Sequence, residues 1–127
     1  FYGQDKAHNP DGRRFVDRGL GPAVNKPAEA GKFKVPPLRN IARTAPYMHN
    51  GYFTTLRGAV AFYNDRDVRK RCPQDLPEAE ANRRKCWPAP EGAANVNTGE
   101  LGRLGLGERE VDDIVAFLRT LDDGYKP

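Results

Sequence analysis

The chain has 127 residues, of which 38% are hydrophobic, and it carries a net charge of +4. This length predicts a single domain over residues 1–127, and the 13 glycines and 11 prolines predict many loops. Because 17 acidic residues are interleaved with 21 basic ones, the composition argues against nucleic-acid binding. No apolar run approaches the roughly 20 residues that a membrane-spanning helix needs.

The first quarter of the chain is predicted to be irregular. Residues 1–30 show no helical or strand periodicity, and N-P-D-G at 9–12 and G-L-G-P at 19–22 are turn signals. The chain has neither an initiating methionine nor a signal peptide. We therefore expect a processed or truncated product.

An extended segment comes next. Pro36 and Pro37 disfavour the helical region for the residues before them, so residues 31–40 should be extended. One helical turn is predicted at 38–42. A helix is then predicted to end at Asn64, because four residues recur on one helical face: Leu56, Ala59, Val60 and Tyr63.

The start of that helix also has a sequence signal. Thr54 and Thr55 are suitable N-cap residues, since a threonine hydroxyl can accept a hydrogen bond from the first free backbone N–H groups. The apolar face ends on Tyr63, whose side chain is therefore expected to point inward.

Residues 65–99 are predicted to be a long irregular excursion, with a helical turn or two within 77–85. The last helix shows the clearest pattern, a single apolar stripe formed by Val111, Ile114, Val115, Leu118 and Leu121. Acidic residues crowd its first turns, where the helix dipole favours negative charge, and Gly124 is its predicted stop. The predicted fold class is mostly α with extensive irregular loops.

Three stretches carry a family resemblance. They are F-K-V-P-P-L-R-N at 33–40, T-A-P-Y-M-H-N-G at 44–51 and L-R-G-A-V-A-F-Y-N at 56–64. Together with the final helix, they resemble the C-terminal haem domain of bacterial dihaem cytochrome c peroxidases and their MauG-like relatives. The resemblance implies part of a class I cytochrome c-like domain. One family feature is missing, because the chain has no C-x-x-C-H motif for haem attachment.

The resemblance implies that Tyr63 binds haem iron. The peroxidases place an axial methionine seven residues after the helix leucine, here Leu56, and MauG-like members place a tyrosine there. A phenolate is a hard anionic donor that favours ferric iron, whereas a thioether favours ferrous iron. The alternative is an ordinary core tyrosine with a hydrogen-bonded hydroxyl.

Three further residues are predicted to line the haem pocket. Met48 lies off the axial register, so it is expected to pack against the pocket, with iron ligation as the alternative. His49 is expected near a haem propionate or between haems, or else as a turn histidine. Arg39 is expected to pair with a propionate, or else to be a surface arginine.

The resemblance also implies a calcium site between haems. Thr44 and Pro46 match the family residues whose backbone carbonyls bind this ion, and calcium prefers oxygen ligands. The third protein ligand would come from the other haem domain.

Cys72 and Cys86 allow three interpretations. A haem-attachment pair would need two intervening residues and a following histidine, and a zinc site would need more ligands than the chain offers. A disulfide in an oxidising compartment fits best. It would close a long loop and contribute roughly 3 kcal/mol in the chain-entropy model.

The function implied by the resemblance is oxidoreduction at a c-type haem in the periplasm. This chain would supply the distal side of one haem pocket, while the haem-bearing remainder of the protein, or a separate cytochrome subunit, would supply the iron. A redox partner protein is also implied. The basic residues in 66–71 and 83–85 are either a solvated surface or a docking site for an acidic partner. The rival function is a haem-free accessory or structural subunit of a periplasmic redox complex.

Overall fold

The computed structural model describes residues 15–124, and their regular structure is mostly helical. The helices are α1 (Leu20–Val24), α2 (Leu56–Asp65), α3 (Glu78–Arg83) and α4 (Glu108–Arg119), with 3-10 turns at Pro27–Glu29 and Ile41–Arg43. Two short strands, β1 (Lys70–Arg71) and β2 (Cys86–Trp87), pair in parallel. The predicted mostly α fold with long loops is confirmed.

The first described segment is more ordered than predicted. The turn at 9–12 lies outside the described residues, but α1 and a 3-10 turn replace the irregular chain expected up to residue 30. The Leu20 N–H donates to the Lys32 carbonyl at 2.9 Å, and Gly21 is buried against Ala30. This small folded loop depends on contacts across a dozen residues, so periodicity over five residues could not reveal it.

The extended segment and the turn after it lie close to their predicted positions. Residues 32–38 have no regular secondary structure, and the predicted turn at 38–42 is a 3-10 turn at Ile41–Arg43. The Asn40 N–H donates to the Leu121 carbonyl at 2.8 Å. This bond fastens the segment to the residues that follow α4.

Helix α2 begins as predicted and packs across α4. The Thr55 hydroxyl accepts from the Gly58 N–H at 3.0 Å, which caps the helix. The Arg57 guanidinium bridges the two helices through hydrogen bonds to Glu108 and Asp112. These contacts fix how α2 lies on α4.

Helix α4 buries the predicted stripe but ends early. Val111 and Val115 are buried, and the other stripe residues are half-buried. The helix ends at Arg119, five residues before the predicted stop at Gly124. The Leu121 N–H donates to the Leu118 carbonyl at 3.3 Å, which tightens the last turn into 3-10 geometry.

The core is aromatic and centres on β2. Trp87 and Phe53 are the largest fully buried side chains, and the Phe62 ring packs edge-on against Trp87 with centroids 5.5 Å apart. The indole N–H of Trp87 donates to the Asp65 carboxylate at 2.8 Å. Neither strand was predicted, because two residues are too few to show alternation.

Cys72 and Cys86 form the predicted disulfide. Helix α3 lies inside the loop that this bond closes, as the pattern over 77–85 predicted. Leu76 and Ala81 pack with Cys86 in a second small apolar cluster. That all 127 residues form a single domain stays a prediction.

Candidate functional site

The Tyr63 side chain does not point into the core. Its residue is 41% exposed, whereas its neighbour Phe62 packs on Trp87. The prediction of an inward side chain is therefore wrong. Successive helical residues lie about 100° apart, so the face that packs on the aromatic core, which includes Ala59 and Phe62, leaves Tyr63 at the edge.

The Tyr63 hydroxyl nevertheless has a specific neighbour. It donates to the Met48 sulfur at 3.5 Å. Met48 has a positive φ of 67° in a turn whose arms meet where the Tyr47 N–H donates to the Phe53 carbonyl at 2.7 Å. The two donor types that sequence analysis treated as alternatives for one iron therefore lie side by side.

His49 extends this surface. Its imidazole stacks on the Phe33 ring with centroids 3.9 Å apart and planes 12° from parallel. Its Nε2 lies 3.5 Å from Oε2 of Glu91, and the Asn50 side-chain amide donates to the other carboxylate oxygen, Oε1, at 3.1 Å. Phe33 and Glu91 were not predicted as neighbours of His49, because no local pattern in the sequence links either residue to the turn.

We call the contiguous set Phe33, Met48, His49 and Tyr63 the Tyr63 surface. Large apolar side chains flank it along the chain, with Val35 86% and Leu38 48% exposed. Arg39 is also exposed in this segment. Several exposed apolar side chains in one segment are a feature of surfaces that bind another molecule.

The loop that follows residue 100 is hydrogen-bonded to the backbone at the end of α2. The Gly102 N–H donates to the Tyr63 carbonyl at 2.7 Å, and the Leu104 N–H donates to that of Asn64 at 2.9 Å. Leu104 is itself 43% exposed. The end of α2 is thus fixed in place while the phenol ring remains accessible.

The chemistry of the Tyr63 surface fits a haem. It offers one phenol oxygen and one thioether sulfur as possible axial donors, an aromatic stack, and flanking apolar residues suited to a porphyrin face. Within residues 15–124, no cluster of three or more His, Cys, Asp or Glu residues could hold a metal ion by itself.

Thr44 and Pro46 lie between the 3-10 turn and Met48 along the chain, and both are exposed. The Thr44 hydroxyl donates to the Ile41 carbonyl at 3.1 Å, so its side chain serves the turn. That the backbone carbonyl oxygens of Thr44 and Pro46 bind calcium stays a prediction.

Most of the basic cluster is internally paired. Arg66 is buried and donates to the carboxylate of Asp67, which holds the pKa of Asp67 below its ordinary value. Arg69 pairs with Asp65 and lies over the Trp87 ring at 4.6 Å. These two arginines therefore serve the fold.

The exposed remainder of the cluster is smaller. Arg83 and Arg84 both pair with Glu80. Lys70 and Lys85 are exposed and form no salt bridge with any described residue. The parallel register of β1 and β2 brings these two lysines to one end of the sheet.

A buried carboxylate at the start of α2 was not foreseen. Glu78 is 5% exposed and accepts hydrogen bonds from Thr54 and Thr55. Nearby, the Tyr52 hydroxyl donates to the Leu76 carbonyl at 2.9 Å, and burial together with the charges of Glu78 and Asp75 raises the pKa of Tyr52 to about 12. No short-range pattern linked residue 78 to residue 54.

Comparison with known proteins supports the family resemblance. The methylamine utilization protein MauG of Paracoccus denitrificans is 47% identical over 120 residues, which cover 91% of this chain and 30% of MauG. A cytochrome c peroxidase of Denitromonas iodatirespirans is 36% identical over 118 residues, covering 91% of this chain and 25% of the peroxidase. No family profile matches the chain.

Comparison with solved structures supports the same family. A solved MauG-like protein, described as associated with microbial copper homeostasis, superposes with a TM-score of 0.64 at 30% identity. The match covers 86% of this chain and 30% of that protein. The chain thus spans less than a third of the length of these relatives. It belongs to the family of bacterial cytochrome c peroxidases and MauG-like proteins, as part of their C-terminal haem domain.

Proposed function

We propose that this chain forms the distal side of a c-type haem pocket in a haem-dependent oxidoreductase of the peroxidase or MauG-like type, with Tyr63 as the axial ligand. The observation that carries the proposal is the Tyr63 surface, where a 41% exposed phenol lies against Met48. A fully buried tyrosine could not reach an iron that is held by another part of the protein.

The geometry favours Tyr63 over Met48 as the ligand. Met48 packs against the aromatic core and is half-buried, whereas the Tyr63 ring is exposed at the end of α2. In the chain without haem, the Tyr63 hydroxyl donates to the Met48 sulfur, which orients the phenol. The hydroxyl would give up this bond with its proton when it binds iron as a tyrosinate. Bound haem c supplies the redox-active iron, and a tyrosinate ligand lowers its reduction potential.

Other residues of this face have proposed roles toward the haem. We propose that His49, which stacks on Phe33, and the exposed Arg39 pair with haem propionates. The Thr44 and Pro46 carbonyls would bind a calcium ion together with groups from the other haem domain. The haem itself would be attached through a C-x-x-C-H motif outside this chain.

We place this chemistry in the periplasm. The Cys72–Cys86 disulfide favours an oxidising compartment, and the described part of the chain has no helix long and apolar enough to cross a membrane. The haem-bearing partner is the remainder of the same protein or a separate cytochrome subunit. The exposed Lys70 and Lys85 suit an acidic redox partner protein.

The ligand proposal is tested in the haem-bearing protein by comparing Tyr63→Phe with Thr120→Val. Both changes delete one hydroxyl, but that of Thr120 donates to the Phe117 carbonyl at the exposed end of α4. We expect the ferric optical and paramagnetic resonance spectra to change only in Tyr63→Phe. If the spectra of Tyr63→Phe match those of the unmodified protein, Tyr63 is not the ligand.

One observation distinguishes the proposed haem pocket from the rival function, a haem-free accessory subunit. A preparation of the complete protein that folds stably but has no Soret band would support a haem-free accessory subunit. A Soret band that responds to Tyr63→Phe would support the proposed pocket.

A further inference from the structure

Glu78 is the buried ionisable group that the proposed pocket leaves unexplained. Its carboxylate is 5% exposed and accepts four hydrogen bonds. The Thr54 N–H and hydroxyl both donate to Oε2 at 2.6 Å, the Thr55 N–H donates to Oε2 at 3.3 Å, and the Thr55 hydroxyl donates to Oε1 at 2.5 Å. A buried carboxylate so fully bonded is costly to remove, because its donors would be left without acceptors.

Gly58 makes room for this carboxylate. Any Cβ at position 58 would overlap Glu78 Oε1 and would also approach the Thr55 hydroxyl at 2.8 Å. Glycine is an unfavourable residue inside a helix, costing about 1 kcal/mol relative to alanine. Its presence in the first turn of α2 is therefore explained by the close approach of Glu78.

The carboxylate arrives on a loop that is itself closed. Glu78 lies between Cys72 and Cys86, which the disulfide joins. The Tyr52 hydroxyl bond to the Leu76 carbonyl fastens the same loop two residues earlier. Glu78 is therefore presented to α2 by a short segment with little freedom to move away.

The same loop holds the other end of α2. Trp87 directly follows the disulfide, packs on Phe62, and donates its indole N–H to Asp65 at 2.8 Å. Glu78 contacts the first turn of α2 and Trp87 contacts the last turn. Tyr63 lies between these two attachments, about 12 Å along the helix from Thr55.

We infer that Glu78 is a positioning residue for Tyr63, holding the first turn of α2 so that the phenol stays at its place on the Tyr63 surface. The inference rests on the proposed role of Tyr63 as a haem ligand. Glu78 would not touch the haem, and its influence would pass only through the position of α2. The negative charge also suits the N-terminus of the helix, where the dipole favours an anion.

The test compares Glu78→Gln with Glu80→Gln in the haem-bearing protein. Both changes convert one glutamate of α3 to its amide, but Glu80 pairs only with Arg83 and Arg84 at the surface. The first measurement is hydrogen exchange of the backbone amides of 56–65. We expect exchange on the order of tenfold faster in Glu78→Gln and unchanged in Glu80→Gln, because only the former weakens the hydrogen bonds that hold Thr54 and the capping residue Thr55.

The second measurement is the ferric spectrum. Glu78→Gln should shift it toward that of Tyr63→Phe, and adding Glu78→Gln to Tyr63→Phe should cause no further change. Should Glu78→Gln fail to fold, Thr54→Val removes one of the four hydrogen bonds and should give a smaller shift in the same direction.

The outcomes are distinct. Unchanged exchange in α2, or faster exchange with an unaltered spectrum, would overturn the positioning role even if Tyr63→Phe alters the spectrum as proposed. If Tyr63→Phe itself leaves the spectrum unchanged, the ligand assignment fails and the positioning role falls with it. In that case, hydrogen exchange still reports whether Glu78 holds α2.

Discussion

The two sides of helix α2 differ in how fully their side chains are buried and hydrogen-bonded within the described chain. On one side, Phe62 and Trp87 pack in an aromatic core, and Glu78 has four hydrogen bonds. On the other, Tyr63 is 41% exposed, and its hydroxyl contacts the Met48 sulfur. The first side satisfies its polar and apolar groups within the described chain, whereas the second presents apolar groups outward.

This difference separates stability from function within one small fold. The core side holds α2 through aromatic packing and hydrogen bonds within the described chain. The Tyr63 surface leaves a phenol exposed, as surfaces that bind another molecule do. Changes on the core side should therefore act on unfolding, and changes on the Tyr63 surface should act on what the chain binds.

The largest effect is expected from Trp87→Ala. Trp87 is fully buried and packs against Phe53 and Phe62, so its removal should lower the free energy of unfolding by about 3–5 kcal/mol. Denaturant unfolding measures the loss. Phe117→Ala, at a residue that is 59% exposed, is the control and should cost about 0.5 kcal/mol or less. Equal losses would show that the core is not centred on Trp87.

Opening the disulfide should have the next largest effect. Replacing Cys72 and Cys86 together by serine should destabilise the chain by roughly 3 kcal/mol, because the unfolded loop regains freedom. The unfolding midpoint of the double variant, compared with the oxidised parent, gives the value. A midpoint within error of the parent would mean that the loop is held by its other contacts alone.

Gly58→Ala should destabilise the chain. Helix propensity alone predicts the opposite, a gain of about 1 kcal/mol in the free energy of unfolding. The new methyl group would meet the Glu78 carboxylate, so we expect a loss of about 1–3 kcal/mol from overpacking. The free energy of unfolding checks this. Gly92→Ala, at a glycine with open space around it, should change little. A stabilised Gly58→Ala variant would contradict the buried position of Glu78.

The smallest effect on stability is expected in the exposed segment 32–38. Val35→Ser should change the free energy of unfolding of this chain by about 0.5 kcal/mol or less, because the residue is 86% exposed. Leu76→Ser, at a residue that is 7% exposed, is the matched control and should be clearly destabilising. A large loss in Val35→Ser would mean that residues 32–38 belong to the core.

Much of the fold could be predicted from local signals. The threonine cap of α2 and the apolar stripe of α4 follow from residue spacing, and the disulfide follows from having only two cysteines. Short elements escaped prediction because α1, β1 and β2 depend on distant contacts. The apolar pattern around residue 60 also gave the wrong inner face for Tyr63, since Phe62 outcompetes it for the aromatic core.

The candidate site was predictable only in part. The family motif identified Tyr63, Met48 and His49 as neighbours of one pocket, and the first two are in contact. The stack of His49 on Phe33 and the Glu91 contact arise from residues 16 and 42 positions away along the chain. Glu78 reaches α2 from more than twenty residues away. Tertiary contacts of this kind leave no periodic trace in one sequence.

The most direct test of the central claim is a crystal structure of the haem-bearing protein at a resolution that defines the axial ligand. We predict that the Tyr63 oxygen is bonded to the iron and that the Met48 sulfur lies beside the Tyr63 ring, outside the coordination sphere. An axial position occupied by Met48 or His49, with the Tyr63 oxygen far beyond bonding distance of any iron, would contradict it.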